Sequence, residues 1–259
     1  MNKSSEEQKR QVESVLNERA RIFQTLEGRL PSHPLETEWS IDGDDVLTSI
    51  YRSSDLSRRG VRGLIAEYFF DREVIPQIVR EGWNVVPIPI GDFPYDSLVK
   101  KGDSQVSIQI KLQRLTAGQP KRFWANKYEE VFYDVEVQKT RTGKKRQSKS
   151  GIVESETPKV VPELTNTRPY PFGAFDILAV NMQPATKNWS EFRFTVAKWL
   201  LPRADSPSLI EIHQPVSLVP DDAWTNDLST CLEWYLSGRQ NKVLKDIKHS
   251  LRFRREGKP

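Results

Sequence analysis

The chain has 259 residues and a mass of 29.9 kDa, enough for one large domain or two small ones with a buried core. Hydrophobic residues make up 37% and charged residues 29%, and no run approaches the ~18 apolar residues of a transmembrane helix, so a helical span is excluded. One cysteine, Cys231, and three scattered histidines, His33, His213 and His249, exclude an internal disulfide, a cysteine zinc site and a nuclease motif built on paired histidines; the net charge of +4 permits a polyanionic partner without requiring one.

The N-terminal stretch MNKSSEEQKRQVES lacks the apolar run of a signal peptide, and a cytoplasmic location is expected. Residues 5–30 carry Val12, Leu16, Ala20, Phe23 and Leu26 at helical spacing, ended by Gly28 and the Pro31–Pro34 cluster. This helix serves packing, dimerisation or a DNA edge. Residues 56–82 predict a second helix, capped by Ser57, kinked or split by Pro76 and stopped by Gly82. The period then changes. Trp83–Ile90 and Tyr95–Val99 read as strands, Lys100–Asp103 as a turn, and Val106–Leu112 alternates cleanly. Residues 131–139 alternate again and are followed by a basic loop, TRTGKKRQSKSG. Residues 174–182, 190–201 and 208–218 predict further strands, 221–237 a closing helix capped near Asp221, and the tail from Lys242 is basic. Helices, a strand block and mixed elements together imply an α/β or α+β layer structure.

The segment that carries chemistry is the hairpin. Asp96 lies on its first strand, and Gln109 and Lys111 share one face of the second. A carboxylate, an amide oxygen and an ammonium on an apolar scaffold are the parts that phosphodiester hydrolysis needs. The carboxylate holds Mg²⁺, the amide is a weaker oxygen ligand, and the ammonium orients or activates water. Glu67 lies on the apolar helix before the hairpin, where burying a carboxylate is costly without a metal or cation beside it. A half-buried hairpin with a solvated Ser107–Gln109–Lys111 face gives the same pattern. Two other acidic positions compete. Asp134, Glu136 and Gln138 share one strand face, but Lys139 points away from it. Asp176, alone in an apolar run, either supports the site or is a structural, hydrogen-bonded acid.

This helix–strand–turn–strand pattern resembles the PD-(D/E)xK nuclease superfamily, which includes most Type II restriction endonucleases. Twelve residues separate Asp96 from Gln109. Pro94 is offset from the motif's proline position, and glutamine stands where the acid is usual, so the match is to D…QxK. The resemblance covers residues 60–115 and extends toward 168–182. It implies a restriction-endonuclease-like α/β core, a central mixed sheet flanked by helices, spanning residues 56–182 with a basic insertion at 118–160. An N-terminal helical region (1–55) and a C-terminal extension (183–259) would flank it. It further implies Mg²⁺ as cofactor with Mn²⁺ substituting, Asp96, Gln109 and Glu67 as metal ligands, and Lys111 at the water. Double-stranded DNA is the implied substrate. A homodimer and a separately encoded methyltransferase are the implied partners of a restriction or phage-defence enzyme.

For DNA contact the basic residues Lys121, Arg122, Lys127, Arg141, Lys144, Lys145 and Arg146 are the candidates, interleaved with Trp124 and Tyr128. A structure-directed repair nuclease and a non-catalytic DNA-binding protein on the same fold are the alternatives. The chain has no GK[ST] phosphate loop, no GxGxxG and no Gly-x-Ser-x-Gly elbow, which excludes ATP-driven translocation.

Overall fold

The computed structural model describes residues 33–89, 91, 93–125, 130–138, 169–245 and 253–255, with Ser14, Asn17 and Glu18 helical. The remainder of the helix expected over 5–30 lies outside the described residues, as does the basic loop 140–150. The chain divides into two compact units, Met1–Arg58 and Arg59–Pro259.

In the first unit two helices follow the Pro31–Pro34 cluster. Helix α1, Pro34–Trp39, starts on a proline at its first turn, where a missing N–H costs nothing. The Glu36 carboxylate accepts the His33 amide at 2.6 Å. Helix α2, Gly43–Arg52, is capped by Asp42, whose carboxylate accepts the Asp45 amide at 2.7 Å. Both fall within residues 1–55, expected as a helical region, but neither was delimited by the sequence pattern.

Helix α3, Asp55–Phe69, leads into a π-helical turn, Phe70–Val74, and then α4, Ile75–Arg80. The expected cap at Ser57 is displaced: Ser54 Oγ accepts the Ser57 amide at 3.2 Å. Pro76 does not end the helix. Its ring would collide with the carbonyl one turn back, and the wider π turn just before it accommodates the residue. Gly82, at φ +91°, then stops the helix, with the Trp83 amide donating to Ile78 O at 3.1 Å.

A five-stranded mixed sheet forms the centre of the second unit. Its strands are β1 (Asn84–Val85), β2 (Ser97–Lys101), β3 (Ser104–Leu112), β8 (Ile177–Asn181) and β9 (Phe192–Val196), in that spatial order. All neighbours are antiparallel except β3 and β8. The expected strand 83–90 shrinks to two residues, because Pro87 and Pro89 cannot donate to a ladder. Gly102 at φ +58° opens the two-residue loop joining β2 to β3, with Lys101 facing Ser104. Every residue of β8 and β9 is buried, and Phe70 packs edge-on against Phe192 at 5.7 Å. Ladder partners share a face, so the π turn packs on the face carrying Phe192, Asn181 and Leu112.

Between β3 and β8 the chain forms a two-stranded pair, β4 (Leu115–Thr116) with β5 (Gln119–Pro120), and then β6 (Arg122–Ala125) and β7 (Glu130–Glu136). Strands β6 and β7 join β10 (His213–Ser217) and β11 (Phe253–Arg255) in a second, antiparallel sheet of order β10-β7-β6-β11. The described part of the 118–160 segment, expected as a basic insertion, supplies β5, β6 and β7. Residues 183–259, expected as an extension, supply β9 to the first sheet and β10 and β11 to the second. The final helix α6, Leu228–Leu236, follows a one-turn helix α5 (Gln183–Thr186) in chain order and begins later than expected. Its cap is Asp227, which accepts the Thr230 amide at 2.9 Å. Asp221 instead accepts the Ala223 and Trp224 amides, a local turn that competes with helix.

Candidate active site

Asp96 immediately precedes β2, and its amide still donates to Ile108 O at 2.9 Å. That bond sets Asp96 beside Gln109 across the hairpin. One carboxylate oxygen of Asp96 accepts the Ile110 amide at 2.8 Å and the side-chain amide of Gln109. Gln109 is 1% exposed, so this face of β3 is not the solvated one that a bland hairpin would show. The other end of the amide, Gln109 Oε1, is buried with no hydrogen-bond partner among the described residues. Lys111 follows on the same face, with Nζ 5.9 Å from the centre of the Tyr170 ring. Tyr170 is buried and stands edge-on to Phe175 at 5.4 Å, which fixes that ring as a wall. Cation and ring face attract through the ring quadrupole.

Glu67 comes from α3. Burial pushes its carboxyl up to about 7, Asp96 and Asp71 add repulsion, and only Lys111 opposes them. Asp96 is raised chiefly by burial, against the pull of Lys111 and the two hydrogen bonds it accepts. Lys111 is lowered by burial, against Asp96 and Glu67. Two carboxylates and one ammonium thus share a site in which each charge feels the other two, with Glu67 and Lys111 partly buried and Asp96 open to solvent. The structure brings Glu67, Asp96, Gln109 and Lys111 together.

The raised Glu67 carboxyl has a consequence for stability. A carboxyl near 7 when folded and near 4.5 when unfolded keeps its proton more tightly in the fold. Its contribution is neutral below pH 4.5, turns unfavourable as pH climbs through that window, and stays so above pH 7. In chelator, Glu67→Gln is therefore expected to be about 2–3 kcal/mol more stable than wild type at pH 8, with no gain at pH 4. Urea unfolding at the two pH values checks this.

Asp176 is held by hydrogen bonds on both carboxylate oxygens. One carboxylate oxygen accepts Ser107 N at 2.9 Å and Ser107 Oγ at 2.7 Å, and the other accepts the Tyr235 hydroxyl at 2.7 Å. It locks β3, the start of β8 and α6 together, and burial with the Asp176 bond pushes the Tyr235 hydroxyl up to about 12. Asp176→Ala is expected to cost about 3 kcal/mol, which urea unfolding checks.

The competing acidic face is neutralised from within. Asp134, fully buried, is paired with Lys121 Nζ at 2.5 Å and with His213 Nδ1 at 3.1 Å. Glu136 is paired with Arg114 and accepts from Gln138. Lys121, expected at DNA, is thereby committed to Asp134. Arg122 is exposed, with its guanidinium 5.4 Å over the Tyr133 ring. Lys127, Arg141, Lys144, Lys145 and Arg146 lie outside the described residues. Among the described residues no three His, Cys, Asp or Glu side chains are placed to share an ion.

Sequence reasoning missed Tyr170 as a neighbour of Lys111, and it missed Gln113. Gln113 continues the Gln109–Lys111 face by period two, which was the available signal. It is 1% exposed, and its Oε1 accepts the Ala185 amide at 2.9 Å.

No family profile and no curated protein matches the chain. Among solved structures, a bacterial homing endonuclease, I-Ssp6803I, matches at 19% identity with a TM-score of 0.33, over 63% of this chain and 79% of that one.

Proposed function

We propose that the protein hydrolyses DNA phosphodiesters with Mg²⁺, for which Mn²⁺ substitutes. The observation that carries this reading is the orphaned, buried Gln109 Oε1, on a side chain whose amide nitrogen bonds Asp96, next to the mutually interacting charges of Asp96, Glu67 and Lys111. A buried oxygen with no donor is an unmet acceptor, and the donor set is all oxygen, as Mg²⁺ prefers. To use it, the Gln109 amide turns over, releasing its hydrogen bond to Asp96. Asp96 and Glu67 then hold the ion with Gln109 as the neutral ligand. When bound, Mg²⁺ supplies charge stabilisation at the phosphate and a more acidic water. Lys111, oriented by the Tyr170 ring and the two carboxylates, positions that water or takes its proton. Burial has lowered the cost of the neutral amine, which is the form that accepts.

Within that class a Type II-like restriction or phage-defence enzyme, acting as a homodimer beside a separate methyltransferase, is our preferred reading. It belongs to the D…QxK branch of the PD-(D/E)xK nucleases. Unmethylated phage and plasmid DNA, incubated with Mg²⁺ and with chelator, tests it. Discrete fragments that vanish in chelator and with Lys111→Ala support it. A smear favours the structure-directed nuclease. One observation favours a second reading, a non-catalytic DNA-binding protein: the Gln109 amide nitrogen already satisfies Asp96 without a metal. DNA binding with no cleavage in Mg²⁺ or Mn²⁺ selects it.

A further inference from the structure

The turn from β8 to β9 grips two elements at once. Toward β3, the Gln113 amide donates to Asn181 O at 3.0 Å, and the Ala185 amide donates back to Gln113 Oε1 at 2.9 Å. Toward α3, the Arg62 guanidinium donates to Gln183 Oε1 at 3.1 Å, and Phe69 stacks on Trp189 at 5.7 Å with 26° between planes. Arg62 and Phe69 are seven residues apart, two helical turns, and so lie on one side of α3. Two grips two turns apart fix the helix in both slide and rotation. The turn is itself closed. Fully buried Asn181 accepts from the Gln183 amide at 3.1 Å and donates to Trp189 O at 2.7 Å.

Glu67 lies between Arg62 and Phe69, and Lys111 lies two residues before Gln113 on the same face. We propose that residues 181–189 form a clasp that sets Glu67 against the Gln109–Lys111 edge, with Gln113 and Trp189 as positioning residues for the metal site. The proposal rests on the reading of Glu67 and Asp96 as metal ligands. None of the clasp residues needs to touch the ion or DNA. Their effect passes through the placement of Glu67.

Mn²⁺ binding to the full chain without DNA, followed by the free-ion electron paramagnetic resonance signal, tests it. Trp189→Leu and Gln113→Ala are expected to weaken Mn²⁺ about tenfold, the usual loss when a ligand's support is removed. Trp189→Phe keeps the stacked ring and stays within about twofold of wild type. In a Glu67→Gln background the same substitutions add nothing, because the residue they position is gone. Gln183→Ala removes only the Arg62 bond and serves if Trp189→Leu does not fold by circular dichroism. Unchanged affinity in these variants, or an equal loss in the Glu67→Gln background, overturns the clasp alone. A wild-type chain that binds no Mn²⁺ overturns the metal reading and the clasp with it.

Discussion

Lys111→Ala is expected to lower DNA cleavage about 10³-fold while DNA affinity stays within a few-fold. The ammonium sits at the end of β3 with the Tyr170 ring on one side and the charges of Asp96 and Glu67 acting on it. It is too enclosed to serve as a long-range phosphate anchor, so its loss falls on the chemical step. Lys111→Arg is not expected to rescue. A guanidinium stays charged and needs a planar fork of acceptors, whereas this site offers a point charge its place. Removing the cation also lets Glu67 and Asp96 repel without opposition, which drives both carboxyls further up. Assaying at pH 7 and pH 9 separates the two causes. A deficit that shrinks as pH rises belongs to the raised carboxyls, and one that persists belongs to the lysine itself. Single-turnover cleavage and fluorescence anisotropy of labelled duplex make the measurement, and wild-type cleavage by Lys111→Ala sinks the assignment.

Asp134→Ala is expected to destabilise the fold by about 3–5 kcal/mol. Asp134 is completely buried, and its carboxylate is the partner of both Lys121 and His213. The Lys121 side chain is only 11% exposed, so truncating the acid strands an ammonium in a site with little water. The backbone repeats the connection: Asp134 N donates to Lys121 O at 2.9 Å and Arg114 N to Asp134 O at 3.0 Å. The double variant Asp134→Leu with Lys121→Met should recover most of the loss, since an apolar pair of similar volume avoids desolvating two charges. Urea unfolding of both variants checks this. If the single variant alone is near wild type, the pair contributes nothing.

The β2–β3 hairpin was legible because all its determinants are local. Strict alternation, a Gly-Asp turn and a short span between Asp96 and Gln109 fix both register and face. The long apolar helix carrying Glu67 was legible for the same reason. What the pattern did not show is held by partners remote in sequence. Lys121 looks like a surface cation until Asp134 folds onto it. Arg62 meets Gln183 121 positions away, and Gln113 meets Ala185 72 positions away. The strands at 131–139 and 208–218 were legible, but their joining in a second sheet was not, because its members are drawn from three stretches of chain. The misplaced cap at Asp221 has another origin. Asp221 and Asp227 both precede helix-compatible residues, and only the turn closed by Asp221 on Ala223 and Trp224 decides between them.

The parallel pairing of β3 with β8 orders the events of folding. Ser107 and Asp176, where that pairing begins, are 69 positions apart, so the sheet cannot close until a long excursion has been brought back. The β2–β3 hairpin needs no such wait. During synthesis Asp96, Gln109 and Lys111 are expected to assemble early, while the segment that seats Glu67 beside them has yet to be made. A nascent chain ending before Trp189 would hold every proposed ligand and still lack the contact that aligns them.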